Sequence, residues 1–270
     1  MPSSELEMRF DSIRELSVAA GRLTLNHFQQ RGLEVEKKED QSPVTVADKE
    51  AEQWLRKQIS QRFPNDTILG EEFGETSGTS GFRWILDPID GTKSFISGVP
   101  LFGTMIGVEA DGVAEMGAVY VPGLDEGIYA ARGKGCWHFQ GESAPTQAQT
   151  SSKDSLADAI FVTSEVRTFD RREARDAYFE MQEACYITRT WGDCYGYLLV
   201  ATGRADVMID PMMSIWDAAA LQPIMEEAGG TFTDWKGIAT IEAGEGIGTN
   251  GPLLNEVLAI TSRFPRLQSS

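Results

Sequence analysis

Hydrophobic side chains in the first part of the chain recur at steps of three and four residues. This spacing is typical of amphipathic helices that bury one face. It predicts a first helix over residues 4–31 and a second helix over residues 46–63, which ends at Pro64.

Short apolar or alternating runs replace this pattern after residue 82. The runs "RWILD", "GTMIGVE", "VAEMGAVYVP" and "EGIYAARG" are separated by segments rich in Gly and Asp. They predict an antiparallel meander. The polar stretch at 140–155, "QGESAPTQAQTSSKDS", is predicted to be a loop between two halves of the chain.

Strand-like and helix-like segments alternate through the second half. Strands are predicted at "AIFVTS", "CYITR", "ADVMID", "GTFTD" and "GIGTN", and helices over 171–184, 194–201, 215–228 and 252–262. Such alternation indicates a layered α/β fold. We therefore expect an N-terminal α+β half at 1–145 and a C-terminal α/β half at 146–270, which together form one compact catalytic unit.

Composition excludes several classes of function. The 270 residues include 24 Lys and Arg against 41 Asp and Glu, for a net charge of −17. Proteins that bind nucleic acid or an anionic membrane are usually basic, so we expect neither partner. The chain has no apolar run near the roughly 18 residues of a membrane span. Its opening, "MPSSELEMRF", lacks the features of a signal peptide. We expect a cytoplasmic protein.

The chain offers few sulfur or nitrogen ligands. Cys136, Cys185 and Cys194 are scattered and form no CxxC motif, which argues against a disulfide framework and a zinc site. His27 and His138 are the only histidines, and we interpret both as structural. A histidine metal site or a Ser-His-Asp triad is thus poorly supplied. The chemistry is expected to depend on carboxylates.

The segment "WILDPIDGTKSF" at 84–95 places two aspartates three residues apart at the end of a buried strand. The strand is predicted to end at Asp90, Pro88 to stop its hydrogen-bond ladder, and Gly91 to permit a sharp turn. A helix beginning at Thr92 would leave backbone amides free to bind an anion. Asp87 and Asp90 would then offer oxygen ligands to a cation. The alternative interpretation is an ordinary acidic turn.

Three further acids lie where elements begin or end. Asp48 and Asp217 each follow a hydroxyl residue by three positions, in the pattern of a capping box with Thr45 and Ser214. Capping alone explains both. Glu71 follows the apolar run "TILG", where a solvated loop charge is the alternative. Taken together, carboxylates without His or Cys suit Mg²⁺ or Mn²⁺. A cation would also relieve the repulsion between like charges held close together.

Two long motifs resemble the signatures of the inositol monophosphatase superfamily. They are "WILDPIDGTKSF" and "SIWDAAALQPIMEEAGG", supported by "SPVTVADKEAE", "ILGEEFG" and "YLLVATGRADVMID". The resemblance runs from about residue 5 to residue 261. It implies a layered α/β/α/β/α sandwich of the inositol monophosphatase and fructose-1,6-bisphosphatase type. It also implies Mg²⁺-dependent hydrolysis of a small phosphomonoester, with two or three ions per site and Mn²⁺ as a possible substitute, in a homodimer.

The resemblance implies a role for each matching residue. Glu71, Asp87 and the carbonyl of Ile89 would hold the first metal ion. Asp87, Asp90 and Asp217 would hold the second.

The attacking water and the phosphate have their own implied ligands. Glu71 and Thr92 would orient the water, and the amides of Gly91 and Thr92 would meet the phosphate. Asp48 would support Thr92 and a weaker third metal ion. The resemblance also places a loop lysine near Lys37 or Lys38.

Within the superfamily, the sequence is most similar to the histidinol-phosphate phosphatase branch. The segments that carry this similarity are "DPIDGTKSF", "GEEFG" and "RTWGDCYGYLLVATGRADVMIDP". Lys93 is a mild discriminator, because the inositol branch more often has DGTTNF. The predicted reaction converts L-histidinol phosphate and water to L-histidinol and phosphate, in histidine biosynthesis.

Substrate selection is expected to fall to residues that face the leaving group. Asp193 and Asp210 would accept hydrogen bonds from an amine or imidazole, and Arg189 and Ser164 would line the same pocket. The alternatives are a helix N-cap for Asp193, a turn aspartate for Asp210 and a surface ion pair for Arg189.

Other functions stay open at this point. The same chemistry could act on inositol 1-phosphate, a sugar phosphate or a nucleotide 3'-phosphate. A non-catalytic homologue that binds a phosphorylated metabolite is a further alternative. The apolar run "VPLFGTMIGVE" and the meander strands would form either the dimer interface or a buried sheet.

Overall fold

Two long helices open the fold. The computed structural model describes residues 3–30, 32, 35–37 and 43–267. Helix α1 spans Ser3–Thr24 and helix α2 spans Val46–Arg62. The prediction for α2 is confirmed to within one residue. The prediction for α1 is too long, because residues 25–29 form turns and Gln29 has a left-handed backbone (φ 59°) that cannot continue a right-handed helix.

An eight-stranded sheet forms the centre of the N-terminal half. Its strands are β3 (Thr67–Gly70), β4 (Gly74–Thr76), β5 (Phe82–Asp90), β6 (Gly103–Ala110), β7 (Val113–Val121), β8 (Glu126–Ala131), β9 (Gly135–Gln140) and β10 (Thr146–Gln147). They lie in the order β10-β9-β8-β7-β6-β5-β3-β4. A separate hairpin joins β1 (Val35–Lys37) to β2 (Pro43–Thr45), and the short helix α3 (Thr92–Ile96) follows β5.

The predicted meander is confirmed in β6, β7 and β8, which pair antiparallel in sequence order. The strands that were not predicted include β1, β2, β4, β9 and β10, the last of which lies inside the predicted 140–155 loop. The predicted end of β5 at Asp90 is confirmed, and its ladder to β6 is interrupted at Pro88 before it resumes at Asp90. Thr104 Oγ1 donates to the Pro88 carbonyl at 2.8 Å. A bulge accommodates proline because no ladder hydrogen bond is needed there.

A five-stranded mixed sheet forms the centre of the second half. Its strands are β11 (Ile160–Val162), β12 (Ile187–Arg189), β13 (Val207–Asp210), β14 (Thr231–Thr233) and β15 (Gly246–Thr249). Their order is β12-β11-β13-β15-β14, in which β11 runs parallel to both neighbours and β15 antiparallel to both. The accompanying helices are α4 (Val166–Arg171), α5 (Arg175–Ala184), α6 (Cys194–Ala201), α7 (Ile215–Ala218), α8 (Leu221–Glu227) and α9 (Leu254–Thr261).

Two of the helices predicted in this half differ in the structure. The helix expected over 171–184 begins only at Arg175, as α5, because Glu173 with its left-handed φ of 59° separates it from α4, which the sequence did not predict. The helix expected over 215–228 is divided into α7 and α8. Pro223 has no N–H to offer the Ala219 carbonyl four residues earlier, so the helix is interrupted at that point. The prediction for α6 is confirmed at both ends.

The helices and sheets stack in five layers. Trp84 and Leu86 on β5 pack with α1 and α2, whereas Ile85 between them packs on the opposite face with α6 and α8. The second sheet covers the other side of α6 and α8, and its far face packs against α4, α5 and α9. The predicted α/β/α/β/α sandwich is confirmed.

The apolar strands lie inside this sandwich. Strand β6 is buried along its whole length, and β7 is buried except near its start. The buried-sheet interpretation therefore holds for β6 and most of β7, whereas Val99, at the start of the same apolar run, is exposed. Among the described residues, no helix is both long and apolar enough to cross a membrane.

Candidate metal centre and active site

One buried and two half-buried carboxylates converge between the end of β5 and the start of α7. Asp87 and Asp90 lie at the end of β5, and Asp217 lies in the first turn of α7. One oxygen from each of the three lies within 4.8 Å of the others. The two long sequence motifs, far apart in the chain, thus meet at one point.

Crowding and burial disfavour negative charge in this cluster. Burial raises the pKa of Asp87 well above its usual range, and the charges of Glu71, Asp90 and Asp217 raise it further. Burial also raises the pKa of Asp90, with the charges of Asp193 and Asp217 as added causes. The pKa of Asp217 rises to about 7, mainly through burial. Such a group holds protons unless a cation replaces them.

The donor set fits a hard divalent cation. Its ligands are carboxylate oxygens from Asp87, Asp90 and Asp217, without sulfur or imidazole. Mg²⁺ and Mn²⁺ prefer ligands of this kind. The predicted metal cluster is therefore assembled for these three residues.

Glu71 lies beside the cluster, directly after β3. Its amide donates to the Leu86 carbonyl on β5 at 3.2 Å, which ties it to the strand that ends in the aspartates. Its charge raises the pKa values of Asp48, Asp87 and Asp217. It is thus placed as the sequence predicted, at the edge of the same negative centre.

Asp48 both caps a helix and faces the site. Its Oδ2 accepts from Thr45 N (2.8 Å) and Thr45 Oγ1 (2.6 Å), which confirms the capping box at the start of α2. Its Oδ1 lies 3.5 Å from Thr92 Oγ1. Burial raises the pKa of Asp48.

Asp217 combines the same two roles. Its Oδ2 accepts from Ser214 N at 2.6 Å in a second capping box, at the start of α7. Its carboxylate also belongs to the aspartate cluster. The capping and metal-binding interpretations therefore do not exclude each other at either helix.

A tight turn links the aspartates to α3. Gly91 has φ 82°, a left-handed conformation that other residues rarely adopt, and α3 begins at Thr92. Thr92 Oγ1 donates to the Ile89 carbonyl at 3.0 Å, and Ile89 N donates to Asp87 Oδ1 at 3.0 Å. The first amides of a helix have no intrahelical acceptors. The predicted anion site therefore adjoins the carboxylate cluster.

A small polar cavity of about 60 Å³ opens beside the cluster. Asp90 and Asp217 form part of its wall, so the cavity is continuous with the metal centre. Ser164, Asp193 and Asp210 also line it, as the sequence predicted.

Asp193 is free to face this cavity. It occupies the N-cap position of α6, but its side chain makes no capping hydrogen bond, so the N-cap interpretation is wrong. Asp90 replaces it, since Asp90 Oδ2 accepts from Cys194 N at 2.5 Å. A Cβ on Gly91 would lie 2.7 Å from Asp193 Oδ2, so this carboxylate packs against the predicted phosphate loop. Burial raises the pKa of Asp193.

Asp210 also lines the cavity, at the end of β13. Ser164 Oγ donates to its Oδ1, and burial raises the pKa of Asp210 to about 7. Tyr197 is a cavity residue that sequence reasoning missed. It follows Asp193 by four residues, and that spacing places both on one face of the predicted helix.

Other predicted residues lie elsewhere. The structure does not bring Arg189 to the cavity: its side chain is exposed, its Nη1 donates to the Thr188 carbonyl at 2.7 Å, and its guanidinium lies 6.0 Å from the Trp191 ring. Lys38 and the side chain of Lys37 lie outside the described residues.

The two histidines and Lys93 pair with acids. His27 Nε2 lies 2.9 Å from Glu50 Oε2, and His138 Nε2 lies 2.7 Å from Glu126 Oε1. Neither histidine lines the cavity. Lys93, on α3, forms an ion pair with Glu165 of the second half.

Comparisons with known proteins agree with this geometry. Residues 7–264 match the Inositol monophosphatase family. The chain is 43% identical over 233 residues to the histidinol-phosphatase of Chlorobaculum parvum, with 86% of this chain and 88% of that protein covered. It is 37% identical over 243 residues to the histidinol-phosphatase of Mycobacterium tuberculosis, with 90% and 94% covered. The IMPase structure from Thermotoga maritima matches with a TM-score of 0.83 at 29% identity, with 95% and 97% covered.

These matches confirm the family resemblance and the fold that the sequence predicted. They also confirm a phosphatase, since relatives matched over most of their length carry that activity in their names. The chain is a phosphoric monoester hydrolase and belongs to the inositol monophosphatase family.

Proposed function

We propose that this protein is a Mg²⁺-dependent phosphatase that hydrolyses L-histidinol phosphate to L-histidinol and phosphate. The observation that carries the proposal is the acidic wall of the cavity beside the aspartate cluster, formed by Asp193 and Asp210. L-Histidinol carries an amine and an imidazole, both of which are cationic when protonated. Inositol and sugar leaving groups are uncharged and would gain less from two carboxylates that line the cavity.

The carboxylate cluster would hold the metal ions. Glu71, Asp87 and the Ile89 carbonyl are proposed for one ion, and Asp87, Asp90 and Asp217 for the second. When bound, Mg²⁺ would lower the pKa of a coordinated water and neutralise charge on the phosphoryl oxygens.

The residues around the cluster would orient the reactants. Thr92 Oγ1 lies between the Ile89 carbonyl and Asp48, and with Glu71 it would hold the attacking water in line with the phosphorus. Asp48 would fix the Thr92 hydroxyl and support a third, weaker ion. The amides of Gly91 and Thr92 would bind the phosphoryl oxygens.

The leaving group would occupy the cavity. Asp193 packs against Gly91, so it would lie close to the bond that breaks. Asp210, with Ser164 donating to it, would accept from the far end of the substrate. Burial raises the pKa values of both carboxyl groups. A cationic leaving group close to Asp193 and Asp210 would favour their ionised forms.

The first test is phosphate release from a panel of substrates. L-Histidinol phosphate, inositol 1-phosphate, fructose 1,6-bisphosphate and 3'-phosphoadenosine 5'-phosphate would each be assayed with Mg²⁺ and with EDTA. We expect a preference for histidinol phosphate that EDTA abolishes. An Asp90→Asn variant should lose at least about 100-fold in kcat.

Each other outcome would refute a different part of the proposal. Preference for an inositol, sugar or nucleotide phosphate would retain the metal centre and refute the roles of Asp193 and Asp210. Binding of a phosphorylated metabolite without Mg²⁺-dependent release would refute the catalytic proposal.

We also propose a cytoplasmic homodimer. The three cysteines are all free thiols, which is usual in a reducing compartment. The homodimer rests on the family resemblance. Light scattering of the purified protein would measure its mass, and a monomer at assay concentration would refute the dimer.

A further inference from the structure

A completely buried carboxylate lies behind Glu71. Glu52 projects from α2 and is 0% exposed. Its Oε2 accepts from the Glu72 amide at 2.7 Å, and its Oε1 accepts from the Phe73 amide at 3.2 Å. These are the two backbone amides that directly follow Glu71. Hydrogen bonds from amides to an ionised carboxylate are among the strong ones in proteins.

Arg56 extends this contact along the turn. Its Nε donates to Glu52 Oε1 at 2.7 Å, one helical turn further along α2. Its two terminal nitrogens donate to the Gly74 carbonyl and, at 3.2 Å, to Thr76 Oγ1. The arginine compensates the buried negative charge, which would otherwise be costly. Glu52 and Arg56 together thus hold the whole turn between β3 and β4.

The backbone on the other side of Glu71 is equally constrained. A Cβ on Gly70 would lie 2.1 Å from Glu52 Oε1, so the carboxylate occupies the place of a side chain there. The Glu71 amide is bound to the Leu86 carbonyl, one residue before Asp87. The main chain at Glu71 is therefore fixed between the aspartate-bearing strand and Glu52.

One helix supports two parts of the site. Asp48 and Glu52 are four residues apart on α2, and side chains with that spacing lie on one helical face. Asp48 contacts Thr45 and Thr92, whereas Glu52 holds the turn that carries Glu71. The position of α2 thus determines how Thr92 and Glu71 are placed relative to each other.

We propose that Glu52 is a positioning residue for the metal centre, which it serves by fixing the backbone that presents Glu71. The inference rests on the proposed function in so far as Glu71 is a metal ligand. Glu52 touches neither the aspartate cluster's ligand set nor the cavity wall in the described structure. Groups that orient metal ligands typically contribute about 10- to 100-fold to metal affinity or activity.

The test uses Glu52→Gln in the full-length protein. Glutamine keeps the size and one acceptor oxygen but removes the charge that binds two amides and Arg56. Mn²⁺ binding by calorimetry gives a readout independent of turnover. We expect Mn²⁺ affinity to fall about 10- to 100-fold and kcat to fall with it, while KM for the phosphomonoester changes by less than about threefold.

Asp206→Asn is the matched control. Asp206 is a buried carboxylate that accepts from the Ile160 amide (2.7 Å) and Lys153 Nζ (2.9 Å), but it precedes β13 at the end away from Asp210. The Asp206→Asn variant should be less stable than the wild type but bind Mn²⁺ with the same affinity. If Glu52→Gln fails to fold, Arg56→Lys retains the charge but not the fork of contacts. Arg56→Lys should lower Mn²⁺ affinity and kcat by a smaller factor than Glu52→Gln.

The outcomes separate this inference from the substrate proposal. Wild-type Mn²⁺ affinity and kcat in a destabilised Glu52→Gln protein would leave Glu52 a purely structural role and overturn the inference. Weakened Mn²⁺ binding in a protein inactive on histidinol phosphate would refute the substrate and sustain the role of Glu52. A wild-type protein that bound no Mn²⁺ would overturn both the metal centre and this role.

Discussion

Because the aspartates are crowded together, we expect that removing divalent metal makes the free energy of unfolding depend on pH. Burial raises the pKa values of Asp87, Asp90, Asp210 and Asp217 above their ordinary values. A carboxyl group whose pKa is higher in the folded state stabilises the fold most below its unfolded pKa. That contribution is lost as the pH rises through the folded pKa. Without metal, the free energy of unfolding should therefore fall between about pH 4 and pH 7.

The magnitude follows from Asp217. Its pKa rises from an ordinary value of 3.8 to about 7. A tenfold change in proton affinity corresponds to about 1.4 kcal/mol, so this rise corresponds to roughly 4 kcal/mol as an upper limit. Neighbouring carboxylates share protons, and their contributions do not add. We expect a loss of about 2–4 kcal/mol, a large part of a typical stability of about 5–15 kcal/mol.

Urea unfolding followed by tryptophan fluorescence measures this loss. It would be recorded in EDTA from about pH 5 to pH 8, and again with Mg²⁺. The folded state lowers the pKa of three other carboxyl groups, those of Glu15, Glu126 and Glu165. These groups make the fold more stable as the pH rises, opposite to the aspartates. They lose their contribution only as the pH falls below about 4.5, outside this range. Mg²⁺ should restore stability most at high pH, since it binds the ionised form.

A pair of variants separates the cluster from the general effect of net charge. Asp217→Asn keeps an oxygen for the Ser214 amide but removes the ionisable group, so its stability in EDTA should depend less on pH. Asp111→Asn changes an exposed turn residue with φ 50° and should behave like the wild type. A wild-type stability that is flat in EDTA across this range would refute the reasoning.

Three further predictions concern activity and local structure. Thr92→Val should lower kcat about 10- to 100-fold, whereas Thr92→Ser keeps the hydroxyl and should retain kcat within a few-fold of the wild type. Steady-state kinetics, with circular dichroism as a folding control, would measure this. Asp193→Asn should raise KM about tenfold for histidinol phosphate but not for a phosphate ester with an uncharged leaving group, and equal effects on both would contradict its role. Gly91→Ala should lower the free energy of unfolding by at least about 1–2 kcal/mol and abolish most of the activity. The added Cβ would sit at a φ of 82° and overlap with the Asp193 carboxylate. Gly112→Ala, with φ 80° and open space, should cost only the backbone strain, and equal urea midpoints for the two variants would count against the overlap.

Much of the candidate site could be read from the sequence because its signals are local. Capping boxes depend on residues three apart, and both predicted boxes are present at Asp48 and Asp217. The bounds of α6 follow from an apolar run, and the aspartates of β5 follow from a strand that ends in a turn. The alternation of strand-like and helix-like segments also predicted a layered α/β fold, and the family resemblance supplied the order of its layers.

Features set by a single backbone angle or by a distant partner could not be read in this way. Glu173 and Gln29 end helices through left-handed conformations that their residue types do not announce. Asp193 occupies an N-cap position, yet Asp90, 103 positions earlier in the chain, supplies the cap. Arg189 was predicted to line the pocket with Ser164, but its side chain is exposed and donates to the Thr188 carbonyl.

The sequence by itself determined most of the helices and strands, the candidate acidic ligands and the family, because each depends on residue type and short spacing. Only the tertiary structure decided that Glu52 supports Glu71, that Tyr197 joins the cavity and that Asp90 caps α6. These contacts join elements far apart in the chain. They arise where two sheets and the helices between them pack, and that packing depends on the shapes of whole layers rather than on any local pattern.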